Sequence, residues 1–256
     1  MPPSADNPTP LVDVIIPVYN EEKVLPQSIG TLVTFLREHA DYPFRVLITD
    51  NASVDDTEAV ARRLAGEYPE VEYRRIPRKG RGGALKTVWL ESPAEYVTYM
   101  DVDLSTNLRA FPQLVDRLRN GSDVVIGSRL MVGADTTRSL KREILSRGYN
   151  VIVKLFFRTK FTDAQCGFKG VRRGVVQLLV PHVEDRKWFF DTELLVLAEK
   201  SGHEIGEVPV DWIEDLDTRV RLLRTIWDDF MGLFRLAGSL PRTLRRIDET
   251  RAVHPG

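Results

Sequence analysis

Cysteine is almost absent from this 256-residue chain: Cys166 stands alone, so no internal disulfide can form. Histidine is scarce as well, and His39, His182, His203 and His254 lie far apart without ligand spacing, which argues against a zinc site. No run approaches the ~18 uninterrupted apolar residues that span a bilayer. The opening Met1-Pro2-Pro3-Ser4-Ala5-Asp6 lacks the basic and apolar regions of a signal peptide. These absences give the expectation of a cytosolic chain whose contact with a membrane is peripheral.

Net charge is also nearly absent, at −1, but this conceals a segregation. Residues 137–160 hold seven Lys/Arg against one Glu, and residues 219–247 seven Arg against two Asp, so those two segments carry +6 and +5. Their basic residues interleave with long aliphatic side chains rather than with base-stacking motifs, which argues against nucleic acid. With 43% hydrophobic and 29% charged residues, the chain can bury one substantial core, and a single catalytic domain is expected.

What is present is an alternation of short apolar runs with helical patterns. Residues 11–18 read as a strand in which Pro17 removes a ladder donor, which suits a strand end opening into the loop Tyr19-Asn20-Glu21-Glu22. Val24, Leu25, Ile29, Leu32, Val33 and Leu36 follow with helical spacing. The same rhythm predicts strands at 44–49, 71–76, 96–100 and 123–127, with helices at 55–68, 83–90 and near 108–118. Such repetition implies an α/β fold with a mostly parallel sheet, helices on both faces and ligands at the carboxyl ends of the strands.

Two of these strands end in acid. Asp101-Val102-Asp103-Leu104-Ser105 closes the run 96–100, and Asp50-Asn51-Ala52-Ser53 closes 44–49, with Ser53 placed to cap an acidic helix start. Alone, an Asp-x-Asp pair reads more readily as a surface turn. Two such ends on one sheet edge instead suit a divalent cation and a diphosphate.

The second half is less regular. Leu145, Tyr149, Ile152, Val153, Phe156 and Phe157 share one helical face, and Leu222, Leu223, Ile226, Trp227, Phe230, Leu233 and Phe234 share another. Each stripe fits a core-facing helix, or an interfacial one because aromatics are combined with Arg and Lys. Residues 1–10 and 248–256 read as disordered tails flanking a domain at 11–220 and an amphipathic segment at 221–247.

Four motifs in order, Ile16-Pro17-Val18-Tyr19-Asn20-Glu21-Glu22, Asp50-Asn51-Ala52-Ser53, Lys79-Gly80-Arg81-Gly82-Gly83-Ala84-Leu85 and Met100-Asp101-Val102-Asp103, resemble the family 2 inverting glycosyltransferases of GT-A fold. Further motifs at Gly127-Ser128-Arg129, 163–169, 188–195 and 207–212 are similar to the polyprenyl-phosphate sugar synthases, most of all the dolichyl-phosphate β-glucosyltransferase branch. The chain departs from many of those relatives in carrying no transmembrane hairpin or anchor.

The resemblance implies a nucleotide-sugar donor and a polyprenyl phosphate acceptor. Pro17, Tyr19 and Glu21 are expected to line the nucleoside, with Asp50 accepting from a base N–H, although Tyr19 and Glu21 serve equally as a helix entry. Gly80, Gly82 and Gly83 are expected to let the backbone approach the donor, while Lys79 and Arg81 supply positive charge. Asp103 is the expected main ligand of Mg²⁺ or Mn²⁺, with Asp101 helping by binding the ion or the ribose. Ser105 stands where related mannosyltransferases have Gln. Arg129, Arg142 with Ser146, and Arg219 are nominated for the acceptor phosphate, and Arg142 is equally a solvated helix residue. Asp191 and Glu193 are expected to face the sugar, Asp191 for hydroxyl recognition or weak base help, or else to be buried ion-pair partners. Cys166 reads as a packed small residue. UDP-glucose is the donor implied; GDP-mannose, a soluble acceptor, and a nucleotide-sugar binding scaffold without turnover are the rivals.

Overall fold

The computed structural model describes residues 9–134, 136–137, 140–213 and 222–253. In chain order the elements are β1 (Val12–Val18), α1 (Leu25–His39), β2 (Phe44–Asp50), α2 (Thr57–Glu67), β3 (Val71–Arg75), α3 (Arg81–Glu91), β4 (Tyr96–Met100), α4 (Ala110–Arg119), β5 (Val124–Ser128), β6 (Thr136–Thr137), α5 (Leu140–Phe157), β7 (Phe168–Arg172), α6 (Arg173–Leu179), α7 (Phe190–Lys200), β8 (Ile205–Pro209), β9 (Trp212–Ile213) and α8 (Leu222–Val253).

The strands form one seven-stranded sheet, ordered β3-β2-β1-β4-β7-β5-β8, with β6 and β9 as a separate small pair. Every neighbour pair is parallel except those of β7, which runs against both β4 and β5. The expected α/β architecture with a mostly parallel sheet is therefore the observed one. Strand order reverses at β1 and β4, and at such a switch point the diverging loops leave a crevice above the carboxyl edge.

Alternation within the strands explains the two-sided core. Val14, Ile16 and Val18 of β1 pack with α1, α2 and α4 through Ile29, Leu32, Leu64, Phe111 and Leu114. Ile15 and Leu47 face the opposite layer, built by α3, α5, α6, α7 and α8 through Trp89, Val153, Val176, Leu194 and Leu233. Both faces of the central strands are thus dry, and ligands reach the sheet only at its ends.

Two expectations are corrected here. α8 continues to Val253, so residues 248–253 are helical rather than a disordered tail. Ser53 does not cap α2: the helix begins at Thr57 after Asp56 without a side-chain cap. The Ser53 hydroxyl instead accepts the Asn20 N–H at 2.9 Å. Residues 1–8, including most of the other expected tail, lie outside the described residues.

The core-facing reading of the amphipathic stripes holds for part of each helix. Val153, Phe157 and Leu233 are buried, whereas Phe156, Trp227 and Phe234 are exposed by 40%, 67% and 60%.

Candidate active site

Three loops at the carboxyl edge are knitted together before any ligand arrives. Asn20 adopts a left-handed φ of 57°, and its Oδ1 accepts the Val54 N–H at 2.9 Å. The Glu21 N–H donates to Thr57 Oγ1 at 2.8 Å. Asp50, fully buried, accepts from the Ser53 N–H at 2.8 Å and the Tyr73 hydroxyl at 2.9 Å. Burial, and then the Asp50 carboxylate, push the Tyr73 phenol up to about 12. Both Asp50 oxygens are thereby engaged in ordering the loop, each with acceptor capacity to spare. Lys79 places its ammonium 3.4 Å from the centre of the Tyr19 ring, so two residues expected at the donor do meet.

The glycine-rich turn works differently from the expectation. Gly82 and Gly83 N–H groups donate to the carbonyls of Lys187 and Arg186 at 3.2 and 2.9 Å, and Gly80 N–H donates to Asn51 Oδ1 at 2.7 Å. A Cβ on Gly82 would stand 2.5 Å from Phe190 Cβ, and one on Gly80 would stand 2.6 Å from the Arg186 carbonyl oxygen. The close approach these glycines permit is to the segment entering α7. Their amides are occupied by protein rather than presented to a diphosphate.

Asp101 and Asp103 follow β4 directly, beside the crevice. Asp101 Oδ1 accepts from Arg81 Nη2 at 2.9 Å, and its other oxygen lies where a Gly167 Cβ would be, 1.8 Å from that point. Asp103 is exposed and accepts from the Ser105 N–H and hydroxyl at 3.0 and 2.6 Å. Among the described residues no group of three or more His, Cys, Asp or Glu could hold a metal. The protein therefore offers a pair of hard oxygen ligands, the set that suits Mg²⁺ or Mn²⁺ when substrate phosphates complete the shell.

Beneath the pair lies a buried charge network. Arg81 Nη1 donates to Asp191 Oδ2 at 2.8 Å, and the Tyr99 hydroxyl donates to Asp191 Oδ1 at 2.5 Å. Lys169, fully buried, sits 3.6 Å from Asp191 Oδ1 and donates to the Cys166 carbonyl. Burial, then the Asp191 carboxylate, push the Tyr99 phenol well above its ordinary value. Glu193 takes no part in this network. It accepts from the Glu184 and Asp185 N–H groups and from Arg235 at 2.7 Å, fastening the segment before α7 to α8. Both acids thus take the ion-pair alternative, and only Asp191 does so next to the crevice.

On the other side of β7, Arg129 at the end of β5 forms a bidentate pair with buried Asp163, Nε to Oδ2 at 2.8 Å and Nη2 to Oδ1 at 3.0 Å. Burial acts to raise the Asp163 carboxyl, but the Arg129 guanidinium overrides it and holds the group below its usual range. Asp101 lies close enough to add to the field on Arg129. Among the described residues the Ser146 hydroxyl is buried without a hydrogen-bond partner. Arg219 and the side chain of Arg142 lie outside the described residues. Cys166 is fully buried, and burial pushes its thiol up to about 12, which fits packing rather than nucleophilic chemistry.

Sequence reasoning missed Tyr99, Asp163, Gly167 and Lys169 as site-forming residues. The signal for Lys169 was available: a lysine inside the apolar strand Phe168-Lys169-Gly170-Val171 needs a buried anion.

An α/β sheet whose switch-point edge carries paired carboxylates over buried arginines is a framework for handling nucleotide diphosphates. The glycosyl transferase family 2 model matches residues 13–179, and the chain belongs to that family. The glycosyltransferase AglD of Haloferax volcanii is 38% identical over 245 residues, which are 92% of this chain but 39% of AglD. The dolichyl-phosphate beta-glucosyltransferase of Dictyostelium discoideum is 31% identical over 231 residues, 83% of this chain and 71% of that protein. The chain thus spans well under half the length of AglD. Glucosyl-3-phosphoglycerate synthase from Mycobacterium tuberculosis, solved with Mn²⁺ and UDP-glucose, superposes with a TM-score of 0.63 at 17% identity, over 88% of this chain and 79% of that one. The fold is shared with that enzyme.

Proposed function

We propose that this chain transfers glucose from UDP-glucose to polyprenyl phosphate, with inversion, to give a β-linked polyprenyl phosphate sugar. The observation that carries this reading is the Asp101–Asp103 pair at the switch-point edge, with Arg129 one strand-end away across β7. Glucose and the dolichyl phosphate acceptor come from the names of the relatives; the pair of carboxylates supports the donor class.

Asp103, with Asp101, would hold Mg²⁺ or Mn²⁺, which would neutralise the leaving nucleoside diphosphate when bound. Tyr19, Lys79 and Pro17 form the wall nearest the nucleoside. Arg129, Ser146, Arg142 and Arg219 are assigned to the acceptor phosphate. A lipid monophosphate has a second pKa of about 6, so its oxygen is anionic at neutral pH and the enzyme needs no strong general base. What the residues must do is hold the acceptor in line with the anomeric carbon and exclude water. Asp191, held by Tyr99, Arg81 and Lys169, is fixed rather than free, which suits reading a sugar hydroxyl better than carrying a proton.

A lipid acceptor rather than a soluble one is supported by an apolar ridge. Val151, Leu155 and Phe156 of α5 and Trp227, Met231 and Phe234 of α8 are all exposed, and the Phe156 and Phe234 rings meet edge-on at 5.3 Å. Lys154, Arg158 and Lys160 flank the ridge along the chain, the combination that seats a surface on anionic lipid. Among the described residues no helix is long and apolar enough to cross a membrane, so attachment by this ridge is peripheral, and the cytoplasmic face is the side proposed.

The test is product analysis by mass spectrometry with a short polyprenyl phosphate and UDP-glucose or GDP-mannose in turn, each with and without chelator. A chelator-sensitive hexosyl lipid phosphate from UDP-glucose is expected. A mannosyl product would replace the donor. Glycosylation of phosphoglycerate with no lipid product would discard the acceptor.

A further inference from the structure

Arg81 is the residue of the crevice whose arrangement no donor-binding role accounts for. Its side chain is 10% exposed and lies between two carboxylates on different elements, Nη2 on Asp101 at 2.9 Å and Nη1 on Asp191 at 2.8 Å. Its guanidinium lies over two aromatic rings, 4.8 Å from the centre of Tyr99 and 5.1 Å from that of Trp188. Nε is buried without a partner. A guanidinium gains most from a bidentate grip on one carboxylate. Here the fork is split, one nitrogen to each acid.

The charges explain why. Asp101 after β4 and Asp191 on α7 each place a carboxylate on Arg81, and Lys169 stands beside Asp191. A divalent cation approaching Asp101 and Asp103 meets a carboxylate whose Oδ1 already has a cationic partner, and must displace or share it. Resting on the metal assignment above, we propose that Arg81 is a resident counter-ion that holds down the affinity of the Asp101–Asp103 pair for a free divalent cation and ties occupancy of that pair to Asp191. The cation is then retained only when a nucleoside diphosphate brings further anionic oxygens. Arg81 is a positioning residue in this scheme: it touches both acids and stands in for the cation's charge while the donor is absent.

The experiment is a Mn²⁺ titration of the full chain, following the free Mn²⁺ resonance by electron paramagnetic resonance, with and without UDP, for wild type, Arg81→Gln and Arg81→Lys. Removing one adjacent positive charge predicts Mn²⁺ binding about tenfold tighter or more without UDP in Arg81→Gln. Arg81→Lys, which keeps the charge but cannot bridge both acids, falls between. Unchanged or weaker binding in Arg81→Gln overturns the proposal, because a purely structural arginine would on removal disorder the pair and weaken it. Should Arg81→Gln not fold, Asp191→Asn gives the complementary reading: Arg81 left to Asp101 alone weakens UDP-free Mn²⁺ binding, and unchanged binding overturns the proposal. Wild type that binds no Mn²⁺ even with UDP removes the metal assignment itself. Wild type that binds only with UDP, beside an unaltered Arg81→Gln, removes only the role of Arg81.

Discussion

Replacing Asp229 by Asn should stabilise the protein increasingly as pH rises from about 4 to about 7, and leave it unchanged below that window. Asp229 on α8 is 3% exposed. Its Oδ2 accepts from Gln165 Nε2 at 2.8 Å, and its Oδ1 is buried with no partner. Burial, opposed by the Gln165 hydrogen bond and reinforced by Asp185, Asp228 and Asp191, pushes its carboxyl from an ordinary 3.8 up to about 7. The folded state therefore holds its proton more tightly than the unfolded chain does. Stability from this group is fully present below the unfolded value and is lost as pH rises towards the folded one. Roughly three pKa units correspond to about 4 kcal/mol as an upper limit. Asn mimics the protonated acid, keeping an oxygen for Gln165, and has nothing to ionise. Urea unfolding of both proteins from pH 4 to 8.5 is the assay. The two curves should coincide near pH 4 and separate progressively, with each kcal/mol worth about 2–4 °C in a parallel melting experiment. Parallel curves would show that Asp229 is ionised in the fold and that its environment has been misjudged.

Asp103→Ala should abolish chelator-sensitive turnover, by on the order of 10²-fold or more, while the melting temperature stays close to wild type because the residue is exposed; retained turnover would sink the metal assignment. Gly167→Ala places a methyl 1.8 Å from an Asp101 oxygen, so Mn²⁺ binding should fall along with about 1–3 kcal/mol of stability, and wild-type Mn²⁺ affinity would disprove that contact. Arg129→Ala leaves buried Asp163 unpaired and should cost about 3–5 kcal/mol. The milder Arg129→Lys should raise the acceptor KM with little change in that of the donor, and a pure donor defect would reassign the residue.

The first half of the fold was legible because its periodicities are unambiguous. Strands of five to seven residues alternate with helices bearing apolar residues at helical spacing, and each strand end coincides with a turn or an acid. β7, α6 and α7 were not legible from pattern. β7 contains Lys169 and Gly170, which break the apolar run, and pairing with β4 and β5 on its two sides makes a strand of it, Gly170 leaving room for Leu114. In α7 all nine residues from Phe190 to Ala198 are buried, so the helix has no polar stripe for periodicity to find. The acids at the strand ends could be read from the sequence; their partners could not. The bond from Arg81 to Asp191 spans 110 positions, and that from Gln165 to Asp229 spans 64, and nothing local marks either one.

The antiparallel strand is what brings the segment before β7 to the site. A parallel strand between β4 and β5 would deliver only its carboxyl end to the ligand edge. β7 runs the other way, so the loop that feeds it, residues 161–167, arrives at that edge between Asp101 and Arg129. Each polar position in the loop holds a different part of the site: Asp163 grips Arg129, Gln165 binds Asp229 of α8, the Cys166 carbonyl accepts from Lys169, and Gly167 makes room for Asp101. α8 in turn carries Trp227, Met231 and Phe234 of the exposed ridge. The Gln165–Asp229 hydrogen bond thus joins α8 to the loop that holds Arg129 and makes room for Asp101. A substitution that loosens the loop as a whole should therefore impair the use of both substrates, whereas one confined to Tyr19 or Lys79 should impair the donor alone.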